Sequence, residues 1–232
     1  MNTTRPDSPD GPGTPQGTQG SRGSDRALAA LSISRICHDL ANPIGAIANG
    51  LELVTLAAQG SPELTPELTP ELALLRDSAS TAGVRLRFFR IAFGEASADQ
   101  SIARTQVESI LAEMSRLGSV RYDWHSPAVL PRSHVRAAFL GVLCVQMALA
   151  FGGRTHTILG AQEWVIEGEA PRLRPLPQLW SALQNPAAPF AFDAASVQFA
   201  LLPRALASVG RGVRCEASAM RVRLAFPLLA QG

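Results

Sequence analysis

Two seams of apolar residues, each repeating at alternating intervals of three and four, constrain this chain more than any other feature. The first runs through Ile33, Cys37, Leu40, Ile44, Ile47, Leu51 and Val54, the second through Leu72, Leu75, Ala79, Ala82, Leu86, Phe89 and Phe93. Such spacing gathers the seam on one narrow stripe of an α-helix, the kind that packs in coiled coils. Between the seams Pro-Glu-Leu-Thr occurs as Pro62–Thr65 and Pro66–Thr69, and Pro70-Glu71-Leu72 opens a third copy. A proline at every fourth residue keeps removing backbone donors, so this stretch reads as a connector. Thr69 and Pro70 then suit the N-cap and first turn of a second helix. The pattern predicts an antiparallel helical hairpin over residues 26–98. A lone hairpin leaves its seams half exposed, and burying one Leu or Ile is worth ~1.5–3 kcal/mol. Two copies are therefore expected to pair as a four-helix bundle, making the protein a homodimer.

The flanks read differently. Residues 1–25 are nearly all small or polar with several prolines and glycines, and such a segment cannot offset its ordering entropy; a disordered tail is expected. Residues 99–232 alternate in texture. Thr105 and Glu108 suggest a capping box opening a helix through Leu117, followed by a strand at Val120–Trp124 and a long helix from Ser133 to Phe151. Strands at Thr155–Leu159 and Trp164–Glu167, a helix at Leu176–Leu183, a helix at Ala194–Val209, and strands at Val213–Ala217 and Met220–Phe226 complete the pattern, with turns at Gly152-Gly153 and Gly210-Arg211-Gly212. The fold class is α+β, a helical hairpin followed by an α/β sandwich with helices on one face of a sheet.

Composition removes several functions. The net charge of +2 offers no concentrated basic face for nucleic acid or an anionic membrane. All 21 basic residues are arginine, which excludes a P-loop lysine and Schiff-base chemistry. Cys37, Cys144 and Cys215 lie far apart in apolar runs, as expected of reduced, buried thiols in a cytoplasmic protein, and no metal-ligand spacing is present. No stretch is long and apolar enough to span a bilayer. Phe88, Phe89, Phe93, Trp124, Trp164 and Trp180 are expected in the core. His125, His134 and His156, which have no acidic neighbour in sequence, are expected to be structural or solvated. Arg172 and Arg174 read as a solvated edge, with an anion site as the alternative.

His38 stands one residue past a seam position, in Arg35-Ile36-Cys37-His38-Asp39-Leu40-Ala41-Asn42-Pro43. On a helical wheel it falls at the rim of the apolar stripe, within reach of solvent. An imidazole that accepts a phosphoryl group needs a neutral, oriented nitrogen, and an adjacent carboxylate provides this by taking the other ring N–H or a proton. Asp39 is the candidate. Pro43 cannot donate to the carbonyl of residue 39, so the helix is expected to bend just after the His38 turn.

The segment His38-Asp39-Leu40-Ala41-Asn42-Pro43 resembles the H-box of two-component histidine kinases. More closely, Cys37-His38-Asp39 with Pro43, Ala46, Gly50, Leu51 and Leu53, then Arg90-Ile91-Ala92-Phe93-Gly94 and Arg172-Leu173-Arg174-Pro175, is similar to the ChpT family of alphaproteobacterial histidine phosphotransferases. That resemblance runs from about Leu28 to Leu228. It implies a dimerising phosphotransfer hairpin joined to a unit shaped like a kinase ATPase domain that has lost its nucleotide. It further implies His38 as phospho-acceptor, with Asp39 and Asn42 beside it in the catalytic set. Phosphate would come from the receiver of a CckA-like hybrid kinase and pass to CtrA-like and CpdR-like response regulators, with Mg²⁺ supplied by the partner receiver and no cofactor or metal of the chain's own.

Two alternatives predict different behaviour. An active histidine kinase would need Asn on the Ser133–Phe151 helix, an Asp-x-Gly-x-Gly stretch and a glycine-rich lid. That helix carries no Asn, Asp or Glu, Asp193 is followed by Ala194-Ala195-Ser196, and Gly210-Arg211-Gly212 reads as a turn. A non-catalytic dimeric adaptor would tolerate loss of His38.

Overall fold

The computed structural model describes residues 17–60, 69–97, 99–207 and 212–229. Two long helices come first, α1 (Gly17–Gly60) and α2 (Thr69–Ala92). They pack along each other as a hairpin. Residues 1–16 and the repeated connector at 62–68 lie outside the described residues. The expected start of helix at Arg26 is corrected to Gly17, two residues beyond Pro15. No later proline interrupts the run until Pro43, and extending an existing helix costs far less than nucleating one.

The hairpin divides each seam in two. Leu40, Ile47 and Val54 of α1 are half-buried, and on α2 Leu75 and Ala82 are half-buried and Phe89 buried. The companion series, Cys37, Ile44 and Leu51 on α1 with Leu72, Ala79 and Leu86 on α2, is exposed. Each series steps by seven residues, so one faces the neighbouring helix of the same chain while the other faces outward; Ile33, exposed, and Phe93, half-buried, depart from this split. Gly50 leaves room for the Leu75 side chain of α2: a Cβ there would lie 2.9 Å from Leu75 Cδ2.

The α/β unit follows as β1 (Ser101–Ala103), α3 (Arg104–Leu117), β2 (Val120–His125), β3 (Val129–Pro131), α4 (Arg132–Ala148), β4 (Gly153–Leu159), β5 (Glu163–Glu169), α5 (Pro177–Gln184), a 3₁₀ turn (Ala194–Ser196), α6 (Val197–Ala205), β6 (Arg214–Ala217) and β7 (Arg221–Pro227). Five strands form one sheet in the order β2-β4-β5-β7-β6, with only β2 and β4 parallel. Strands β1 and β3 make a separate antiparallel pair that sequence reading missed, since three residues are too few to show a period.

One face of the large sheet meets α4, whose residues Val135 and Ala137 to Val145 are buried. The opposite face carries charges in register: Arg221 and Arg223 pair with Glu167, and His156 Nδ1 lies 3.2 Å from Asp123 Oδ2. His156 thus has an acidic partner that sequence proximity could not reveal. His134 is buried, and burial holds its pKa below the usual value, opposed by a hydrogen bond to the Leu229 backbone.

The cores of hairpin and sheet are continuous. Phe88 of α2 stacks on Phe139 of α4 with centroids 4.2 Å apart, and Trp124 meets Phe139 edge-on and Trp164 at 5.0 Å. Of the aromatic residues expected in the core, Phe88, Phe89, Trp124, Trp164 and Trp180 are buried there, and Phe93 packs against it half-buried. The capping box expected from Thr105 and Glu108 is not formed: α3 starts at Arg104 after Ala103, and Glu108 pairs with Arg104 one turn away. A genuine capping box sits at Asp193 and Ser196, which opens the 3₁₀ turn, so α6 itself starts at Val197 and not at Ala194. The expectation of three buried thiols holds only for Cys144; Cys215 is half-buried and Cys37 is exposed because it belongs to the outward seam.

Candidate functional site

His38 projects from the middle of α1 with its side chain 81% exposed. Helical spacing sets its surroundings, since residues three and four apart share a face. Arg35 lies one turn before it and Asn42 one turn after. Asp39 follows directly in sequence and is far less exposed, at 18%. Its Oδ1 lies 3.2 Å from His38 Nδ1. Its Oδ2 accepts a 2.8 Å bond from Arg35 Nε.

With Asp39 on the Nδ1 side, that nitrogen is the natural place for the ring proton, leaving the Nε2 lone pair directed outward. The arrangement is a nucleophilic nitrogen presented to solvent and a carboxylate holding the tautomer from behind. Asn42 is exposed on the next turn and, among the described residues, makes no hydrogen bond to either side chain. The structure therefore brings His38 and Asp39 together and leaves Asn42 as an exposed neighbour.

Pro43 is buried and sits inside α1, which continues through it to Gly60. The helical donor it lacks is replaced from outside: Arg85 of α2 donates from Nη1 to the Asp39 carbonyl at 2.7 Å. One guanidinium thereby joins the two helices at the turn that carries the imidazole. Arg85 also borders Tyr122, whose hydroxyl is pushed well above its usual range by burial, an effect Arg85 opposes.

Arg35 and Arg85 are the residues in contact with Asp39 that sequence reading missed. The i,i+4 spacing of Arg35 and Asp39 could have been noticed. Nothing local signals Arg85, which stands 46 residues away from Asp39.

The other candidates lie apart from this site. Arg172 stacks over the exposed ring of Phe151 at 5.5 Å, and Arg174 is exposed on the same loop. Among the described residues no three His, Cys, Asp or Glu side chains are grouped to hold a metal ion, and no helix is long and apolar enough to cross a membrane.

Residues 104–221 match the model of the histidine phosphotransferase C-terminal domain. The chain is 36% identical over 178 residues to the protein phosphotransferase ChpT of Brucella abortus (strain 2308), a match covering 74% of this chain and 81% of the relative. Among solved structures, a bacterial phosphotransferase determined at 1.7 Å superposes with a TM-score of 0.70 at 30% identity, covering 86% of this chain and 95% of that one. The last two matches are longer than the α/β unit and so extend into the hairpin, and together with the family model they show that the chain belongs to the ChpT-type histidine phosphotransferases.

Proposed function

We propose that the chain is a mid-relay phosphoryl carrier that takes phosphate onto His38 from the receiver aspartate of a CckA-like hybrid kinase and passes it to receiver aspartates of CtrA-like and CpdR-like regulators in the cytoplasm. The observation that carries this reading is the outward-facing imidazole backed by Asp39. In the first step the Nε2 lone pair attacks phosphorus of the aspartyl phosphate. The N–P bond forms as the acyl P–O bond breaks, and its electron pair leaves with the receiver's carboxylate. Nδ1–H remains on Asp39, which offsets the positive charge the ring acquires. The second step reverses the first with a different receiver aspartate. Each receiver brings the Mg²⁺ that neutralises the equatorial oxygens. Asn42, one turn along, is positioned to meet the phosphoryl group or an accompanying water.

ATP has no part in this scheme. A triphosphate site needs Mg²⁺ ligands, cations and free backbone amides. The 670 Å³ recess between α1, α5 and α6 is lined instead by Leu28, Leu31, Leu183, Phe190 and Phe192, and its arginine, Arg204, is already paired with Asp25. The outward seam supports the homodimer, because Ile44, Leu51 and Leu86 are each about half exposed in the single chain.

The deciding experiment incubates the purified protein with a radiolabelled, phosphorylated receiver. Acid-labile, base-stable label is expected on the wild type and none on His38→Gln, with both proteins equally folded by circular dichroism. Label persisting in His38→Gln, or label taken directly from ATP, refutes the reading.

A further inference from the structure

We propose that Arg35 is a positioning residue for the acceptor imidazole, acting through Asp39 and anchored by the α/β unit. The inference rests on His38 being the acceptor. A carboxylate does not orient itself, because the terminal torsion of Asp is broad and two-fold. The bond from His38 Nδ1 is also long, at 3.2 Å, and its imidazole is open to competing water. Arg35 supplies the missing constraint. Its Nε bond to Oδ2 fixes the carboxylate plane so that Oδ1 faces Nδ1.

Three observations indicate that this pair serves the site more than the helix. Arg35 and Asp39 side chains are only 21% and 18% exposed, so the pair is screened less than an ordinary surface ion pair. The order is also the less favourable one for helix stability, since the acidic partner is better placed N-terminal to the basic one at i,i+4. Finally, the guanidinium is held from outside the helix. Its Nη1 donates to the Ala195 carbonyl at 2.6 Å.

Ala195 is itself well fixed. It is the middle residue of the 3₁₀ turn, where Asp193 Oδ1 accepts from Ser196 N at 2.8 Å, and its carbonyl also accepts from Gln198 Nε2 at 2.9 Å. A continuous path therefore runs from the α/β unit through the Arg35 fork and the Asp39 carboxylate to the imidazole. A planar guanidinium can bridge two acceptors in this way, whereas the compact ammonium of lysine cannot hold both in the same geometry.

The test uses the full-length protein and two readouts. Nitrogen-15 NMR of the His38 ring, in the absence of any phosphate, should show the Nδ1–H tautomer dominant in the wild type and depleted in Arg35→Gln. Phosphoryl uptake from a phosphorylated receiver should fall about tenfold in Arg35→Gln, with partial recovery in Arg35→Lys. In an Asp39→Asn background the Arg35→Gln change should add nothing, because its effect passes through that carboxylate. Arg204→Ala breaks another contact between α1 and the α/β unit, with Asp25 and Ser24, and should leave both readouts at wild-type values. An unchanged tautomer in Arg35→Gln, additive losses with Asp39→Asn, or an equal loss in Arg204→Ala would each overturn the proposal. If the wild type takes up no phosphate but Arg35→Gln still shifts the tautomer, the relay function fails and the positioning role stands.

Discussion

Pro43 removes one donor from the middle of α1, and Arg85 of the other helix provides the substitute. A carbonyl stripped of its helical partner and shielded from water costs on the order of 1 kcal/mol. Arg85→Met should therefore lower stability by about 1 kcal/mol, or roughly 2–4 °C in Tm for a chain of this size. Introducing Pro43→Ala restores the backbone N–H, so the double variant should be more stable than Arg85→Met alone. Thermal denaturation of the four proteins in the cycle checks this, and strictly additive effects would show that Arg85 does not compensate for the proline. At this scale the His38-Asp39 pair was legible because its geometry is local: two neighbours on a helix with a proline one turn on. Arg85 was not, because its partnership depends on how two helices register against each other.

At the scale of elements, the strand expected at Trp164–Glu167 is shorter than the observed β5, and one residue shows why. Gly168 ended the apparent strand in the sequence, yet in the structure it lies inside β5, opposite Val222 in the ladder. There it makes room for α4: a Cβ on Gly168 would lie 2.4 Å from Val145 Cγ1 and 3.1 Å from Val222 Cγ1. Both neighbours are fully buried and β-branched, so neither can turn aside cheaply. Gly168→Ala should cost ~1–3 kcal/mol by overpacking, although alanine is the better strand residue elsewhere. Chemical denaturation would reveal it, and a neutral or stabilising effect would mean that α4 sits more loosely on the sheet than described. The helices were easier to read, since a seam of seven apolar positions is unambiguous about helix. It is silent about which seven-residue series faces the chain's own partner helix, because a three-four pattern looks the same from both sides.

For the whole molecule, the split seam becomes a statement about assembly. Leu51 is 59% exposed and Leu86 47% exposed, so neither is needed to fold the single chain. Leu51→Asp combined with Leu86→Asp should leave the fold intact while charging the outward stripe. Light scattering at micromolar concentration is expected to give twice the chain mass for the wild type and a single-chain mass for the double variant. A monomeric wild type would refute the four-helix bundle. The general architecture of hairpin then sandwich was legible from period and punctuation. The way the two halves join was not, because Phe88 and Phe139 belong to different periodic segments and only packing shows that they meet.

That stacked pair has a consequence for how such a molecule can be assembled from parts. A fragment cut after Gly94 would carry Phe88, Phe89 and Ile91, all buried in the intact chain, into water. The boundary between the two halves is thus a poor recombination breakpoint: a foreign hairpin grafted onto this sandwich would arrive without the ring that fills its core. A change of size at Phe88 therefore requires a matching change at Phe139, which ties the helix pair that presents His38 to the sheet although His38 itself takes no part in the contact.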